Sequence, residues 1–332
     1  MQLILKKKTG FEVDITQGAT SVTLTGDYQS CCRSLDFGFV SNAAAAKEEI
    51  WNGAVPPEIL VGDGIRVLHE GTQVFSGIVW TKTKNTDSNE IDFSCRDYGI
   101  YLKKNKGSYV ITNMKPSDIV RKICTDYGLP MGDIVDTNNF ITRNFMGVTL
   151  YDIIMTAYSL AGTDGKKYMC IVDGEKVCVR EKGAEQVEDL VNGFNLISAN
   201  VSQSLERMIN TVRVYGKNDT LLKEAAQSDD VEKYGKMIEI VRINDDTEDY
   251  GKKIDRTFQK MEQKITVSNF GNLTYQTGKK VQLKEPYTGL IGVFHIESDT
   301  HTFKNGLYTN KLTLNLDNIM DEKESGSEVK EK

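Results

Sequence analysis

Gly278-Lys279-Lys280-Val281-Gln282-Leu283, then Gly289-Leu290-Ile291-Gly292-Val293-Phe294-His295-Ile296, then Lys311-Leu312-Thr313-Leu314-Asn315-Leu316: this is the stretch that decides the fold. Apolar residues alternate with polar ones, and glycines punctuate the runs, which predicts strands joined by turns. An earlier stretch repeats the plan. Gly62-x-x-Ile65-x-Val67 answers Gly278-x-x-Val281-x-Leu283, Phe75 and Ile78 answer Phe294 and Ile296, and Ile91-x-Phe93-x-Cys95 answers Leu312-x-Leu314-x-Leu316. Two similar β-domains are the reading of this echo.

Outward from these stretches, residues 1–40 also alternate: Leu3 with Leu5, and Arg33, Leu35, Phe37 and Phe39 at period two. From Ser41 to Leu60 the pattern breaks, Ala43–Ala46 start a short helix, and Pro56-Pro57 end it. An insertion of this length between strands is commonly a contact element. Between 107 and 185 the period changes to helical. Pro116 suits the first helical position and Gly128 the left-handed stop, while Thr149-x-x-Asp152 is close to a capping box. A hairpin turning at Asp173-Gly174 follows, which places Cys170 and Cys178 on opposite faces. Strand patterns return from Leu196; Ala225 to Tyr234 is polar and reads as loop, and Thr247 to Glu262 reads as a helix.

The 332 residues suggest more than one domain. With 41 basic and 47 acidic side chains the formal charge is −6, so no basic field marks nucleic acid as a partner. Six acids and three lysines in 317–332 supply half of that charge. The order of charge and apolar residues at Met1–Lys8 is the reverse of a secretory signal, and no apolar run is long enough to cross a membrane. Cys31, Cys32, Cys95, Cys124, Cys170 and Cys178 form no C-x-x-C pair and read as reduced, apolar side chains.

The search for chemistry yields little. The three histidines are His69, in an expected exposed turn, His295 on a strand, and His301 just beyond that strand's end. No carboxylate or cysteine stands at a metal-ligand spacing from them, and Cys124 falls on the apolar side of its helix. No G-x-S-x-G, H-E-x-x-H or phosphate loop occurs. No catalytic, cofactor-binding or metal-binding residue is assigned, and no cofactor is expected.

At this point the residues resemble a known group. The sequence of β-domain, small two-helix α+β domain and helix-preceded β-domain is similar to the baseplate hub proteins of contractile phage tails, closest to those of Gram-positive prophages and phage-tail-like bacteriocins. Gly62-Asp63-x-Ile65-x-Val67, Phe75-x-Gly77, Tyr234-Gly235, Gly278-x-x-Val281, Gly292-x-Phe294-x-Ile296, His301, Gly306 and Leu312-x-Leu314 carry the resemblance, which runs to about Leu316.

The expected fold class is α+β, mainly β, with two tube-like β-barrel domains and a small intervening α+β domain. The expected boundaries are 1–106 for the first barrel, 107–195 for the α+β domain, 196–316 for the second barrel with its preceding helix, and 317–332 for a charged, disordered tail. The resemblance implies a structural hub without enzymatic activity: a homotrimer whose six barrels adapt a six-fold tail tube to a three-fold central spike. The tail tube and spike proteins are its implied partners, with tape-measure and baseplate wedge proteins beyond them. Its place would be a phage tail or tailocin baseplate, assembled in the bacterial cytoplasm and released by lysis. Ala43, Ala44, Ala45, Ile50 and Trp51 are the candidate subunit or tube contacts, because they give the insertion more apolar surface than a loop needs. The competing readings are a tail-associated cell-wall hydrolase and a tail-tip receptor- or carbohydrate-binding protein; Trp51 and Trp80 are the only tryptophans and lie far apart in sequence, which argues against the latter.

Overall fold

The computed structural model describes residues 1–40, 56–162, 165–243 and 250–329. Ala43, Ala44, Ala45, Ile50 and Trp51 lie outside the described residues. The fold is mainly β. The chain forms two compact units, Met1–Ala199 with Thr266–Lys332, and Asn200–Ile265.

The first unit opens with β1 (Gln2–Lys6), β2 (Glu12–Asp14), β3 (Ala19–Asp27), β4 (Ser34–Val40), β5 (Gly64–His69), β6 (Thr72–Lys84) and β7 (Glu90–Asp97). Their alternation is the alternation of the sequence: Leu3, Leu5, Leu35, Phe37, Phe39, Ile65, Val67, Phe93 and Cys95 all point into one core. Next come α1 (Ile100–Lys104), β8 (Lys106–Met114), α2 (Pro116–Tyr127), β9 (Met131–Ile134), β10 (Ile141–Thr149), α3 (Leu150–Ala161), β11 (Tyr168–Asp173) and β12 (Lys176–Glu181). Pro116 begins α2 and Gly128, at φ 63°, ends it. The Thr149 hydroxyl accepts the Asp152 N–H at the start of α3. Buried faces of both helices, including Ile119, Ile123, Ile153, Ile154 and Tyr158, share a second core with Phe145 and Cys170.

The β11–β12 hairpin turns one residue later than expected. Gly174 takes φ 64° as the first of two loop residues, so Asp173 pairs with Lys176 and Cys170 with Val179, where a turn at Asp173-Gly174 would pair Cys170 with Val177. Glycine at the first loop position is the type II′ choice, whereas the Asp-Gly reading presumes type I′. Cys170 and Cys178 still face opposite ways, and all six cysteines are free.

β13 (Leu190–Val191) and β14 (Leu196–Ser204) follow, and β14 carries the chain into the second unit. That unit holds β15 (Thr211–Tyr215), β16 (Leu221–Ala226), α4 (Ser228–Tyr234), β17 (Ile238–Arg242) and α5 (Gly251–Thr257). β15 lies between β16, antiparallel, and β17, parallel. Val212, Val214, Ile243 and Ile254 form its core, with Tyr250 and Phe258 packed against them. The expected 225–234 loop is thus the end of a strand and a short helix with no buried residue, which apolar periodicity cannot register. The expected helix to Glu262 stops at Thr257, and the Ile209–Gln259 bridge draws the following residues into extended backbone.

β18 (Glu262–Phe270) returns the chain to the first unit, which β19 (Lys280–Glu285), β20 (Leu290–Lys304) and β21 (Leu307–Asn315) complete. Residues 317–332 are expected to form a disordered tail. Instead the Asp321 carboxylate accepts the buried Tyr151 hydroxyl at 2.8 Å, Ser325 N–H donates to Thr156 Oγ1, and Ser327 exchanges two backbone hydrogen bonds with Asn144 on β10. Charge content alone does not reveal these partners, which α3 and the β10 edge supply.

One 13-stranded sheet runs β14-β18-β21-β20-β3-β4-β7-β6-β5-β1-β2, with β19 beside β20 and β13 beside β19. A five-strand path occurs in it twice in the same chain order: β3-β4-β7-β6-β5 and β14-β18-β21-β20-β19. The details repeat as well. Gly62, at φ 90°, donates to Val79 O and Val79 donates to Asp63 O, both at 2.8 Å. Gly278, at φ 89°, donates to Ile296 O and Ile296 donates to Lys279 O, both at 2.9 Å. A bulge follows each: the β6–β7 register slips between Val79 and Thr81, the β20–β21 register between Ile296 and Ser298. The geometry therefore matches Val79 with Ile296 and Cys95 with Leu314, where the sequence echo matched Ile78 with Ile296 and Cys95 with Leu316.

Candidate functional site

The two copies meet where β20 lies along β3. β20 is 15 residues long; its first part pairs with β19, and Ser298–Lys304 pair antiparallel with Ser21–Asp27. The bulge at Glu297 makes this possible. An extra residue reverses which side chains point inward: Phe294 and Ile296 are buried before it, Asp299 and His301 after it.

Polar residues in a core need partners, and these have them. Arg33, just before β4, places its guanidinium in a two-pronged contact on both Asp299 oxygens, Nη1 at 3.1 Å from Oδ1 and Nη2 against Oδ2. Thr277 donates its N–H and hydroxyl to Oδ1 at 2.7 and 2.6 Å. Burial alone would push the Asp299 carboxyl up; Arg33 overcomes this and holds it well below the usual carboxylate range. His301 Nε2 lies 3.0 Å from Oδ2 without the alignment of a hydrogen bond. Its Nδ1 is 2.7 Å from both Tyr308 Oη and Asn310 Nδ2. Asn310 Oδ1 accepts Asn269 Nδ2 and Asn272 N–H, which turns the amide nitrogen toward His301 and makes Nδ1 the acceptor.

Two glycines give this network room. A Cβ on Gly26 would stand 2.4 Å from Arg33 Nη1 and 2.8 Å from Asp299 Oδ1. One on Gly271 would stand 2.1 Å from Tyr308 Cγ. The Tyr308 ring stacks on Phe303 at 4.1 Å, and burial pushes its phenol up to about 12.

The expected features fall as follows. His301 is not beyond its strand but inside it, 1% exposed, because β20 continues to Lys304. His69 is not an exposed turn residue: it ends β5, and its ring lies 5.1 Å from Phe303 and 5.2 Å from Tyr308. His295 is half-buried, held below its ordinary value by burial, then by Lys182 and Lys280. It is not brought to His301's network. Cys124 is buried, which pushes its thiol up to about 12. Among the described residues no three His, Cys, Asp or Glu side chains converge on a possible metal position, and no helix is long and apolar enough to cross a membrane. Sequence reasoning missed Arg33, Thr277, Asp299 and Asn310. The available signal was Asp299-x-His301 at period two, directly after an apolar strand run.

Nothing in this arrangement presents a reactive group to a substrate. It fastens one β-repeat to another, and the architecture is that of phage tail proteins. The fold matches the 43 kDa tail protein of prophage MuSo2 from Shewanella oneidensis with a TM-score of 0.67, at 15% identity, over 95% of this chain and 97% of that one. It matches the E. coli c3393 protein, a type VI secretion component described as structurally similar to the T4 tail proteins gp27 and gp5, with a TM-score of 0.52, at 10% identity, over 93% and 76% of the two chains. The phage-like element PBSX protein XkdQ of Bacillus subtilis strain 168 is 27% identical over 273 residues, 79% of this chain and 83% of the relative. The model of the YQBQ-like family matches residues 22–315, and the chain belongs to that family. It is a phage tail/baseplate-like protein.

Proposed function

We propose that this protein is the structural hub of a contractile tail's baseplate, a trimer that adapts the six-fold tail tube to a three-fold central spike. The observation that carries this is the doubled five-strand path, down to matching glycines and bulges. A chain with two equivalent β-modules presents six modules in a ring of three. Six-fold and three-fold neighbours then each meet a matching symmetry. The two modules act as the tube-like barrels, and the tube and spike proteins are the partners on either side. The likeness of the c3393 protein to gp27 and gp5 supports the same reading.

The work of such a hub lies in interface area and in resistance to shear, and no bond is broken. The most enzyme-like group, Asp299 beside His301, is buried, and Arg33 and Thr277 engage the carboxylate, which supports a mechanical role. Reconstitution tests the proposal: purified protein mixed with its cognate spike and tube proteins forms a particle with three hub chains. Release of soluble fragments from host cell walls by the protein alone would instead favour a hydrolase.

A further inference from the structure

Among the described residues, the within-chain junction of β3 and β20 has an unpaired counterpart at each end of the repeat. After its bulge, β20 is paired on both edges, by β21 and by β3. The matching part of β6, Thr81–Lys84, pairs with β7 on one edge, and among the described residues no strand lies along the other. The counterpart of β3 is β14, which has β18 on one edge and, among the described residues, no strand on the other. We propose that β14 of one protomer pairs with the Thr81–Lys84 edge of β6 in the next, making between chains the seam that β3 and β20 make within one. This rests on the hub reading, and it names the surface through which one copy of the chain takes the next.

Three observations carry it. The first is room. At the filled junction, the segment entering β19 holds the residue two after the bulge partner, with Thr277 on Asp299. At its counterpart, the segment entering β5 does the same, as Lys82 Nζ donates to Ile59 O at 2.8 Å. That entering segment leaves the place beside β20 open to β3, and among the described residues no strand fills the matching place beside β6. The second is exposure. Thr81 and Thr83 are exposed, as are Ile197, Ser198 and Asn200 on β14, whereas the paired β3 buries Val22 and Leu24. The third is that the two edges differ and are complementary in kind. Unpaired strand edges invite another strand, and contact between two different edges runs head to tail, the type that closes rings.

The between-chain seam also differs in one respect. Lys82 stands where Asp299 stands, so no buried carboxylate joins the two modules there. The contact then depends on backbone pairing and apolar area, and its strength changes little with salt.

Cysteine scanning tests this on the full chain. Thr83→Cys is combined with a cysteine at Ala199, Asn200, Val201 or Ser202, all on strand edges where the substitution leaves the core untouched. Under mild oxidation the expected result is disulfide-linked dimer and trimer at one or two adjacent β14 positions, and none with either cysteine alone. A preparation whose native mass is trimeric but which cross-links at no β14 position overturns the edge assignment and leaves the hub reading standing. A protein that remains monomeric with the spike and tube proteins present overturns both.

Discussion

Arg33 and Asp299 are 266 residues apart in sequence and meet in a two-pronged ion pair at the β3–β20 seam. Asp299 has no exposed surface, so its charge relies on this contact and on Thr277. Arg33→Met leaves the carboxylate buried and unpaired, and a loss of about 3–5 kcal/mol is expected. Adding Asp299→Leu should restore much of it, because the second change removes the stranded charge. Urea denaturation of the two single variants and the double variant measures the coupling. Equal losses that simply add would mean the pair is not a unit.

The same pair predicts an acid limb. The folded-state value of Asp299 is depressed, so its stabilisation is complete above the unfolded value of about 4 and is lost as pH falls below it. Asp97 has the opposite sign. Burial raises its carboxyl to about 6, against weaker help from the Arg33 and Gly99 N–H groups. The folded state therefore holds a proton that the unfolded state has released, and stability falls as pH rises from about 4 to about 6, by roughly 3 kcal/mol in all. Asp97→Asn should flatten that fall and spare the acid limb. Denaturation midpoints at pH 3, 4.5 and 7 distinguish the two, and an unchanged difference between pH 4.5 and 7 in Asp97→Asn would rule out Asp97 as the source of the fall.

Gly26→Ala and Gly271→Ala each drive a methyl into a filled position, against Arg33 with Asp299 and against the Tyr308 ring. Overpacking of this kind costs about 1–3 kcal/mol. Gly10→Ala meets no atom within 4 Å but occupies φ 86°, so its cost is one of backbone strain alone. A larger loss of melting temperature at Gly26 and Gly271 than at Gly10 is expected; the reverse order would argue against close packing at the seam.

Asp321→Ala strands the Tyr151 hydroxyl, which is buried and donates to that carboxylate. A loss of about 1–3 kcal/mol follows from an unsatisfied buried donor. Tyr151→Phe with Asp321→Ala should recover part of it. Limited proteolysis supplies a second readout, since cleavage after Lys323 should quicken in Asp321→Ala and stay slow in the parent chain.

Much of this fold was legible from local chemistry. Pro116, Gly128 and Thr149 mark helix ends because cap geometry restricts which residues fit. Gly62 and Gly278 marked the repeat because both take a left-handed φ. Register was not legible. A bulge adds a residue without changing composition, so the echo slipped by one at Ile78 and by two at Leu316, and His301 read as leaving a strand that in fact continues. The site was hidden for a related reason: nothing local to Asp299 reveals a partner that topology delivers from residue 33. Ala43, Ala44, Ala45, Ile50 and Trp51, the candidate contacts read from the sequence, fall outside the described residues.

On the hub reading, three copies of a doubled β-module make one ring. Native mass in solution, with and without the cognate spike, tests it most directly. A species at three times the 37.2 kDa of the chain is expected, alone or once the spike is added. A chain that stays at 37.2 kDa with the spike and tube proteins present would contradict it.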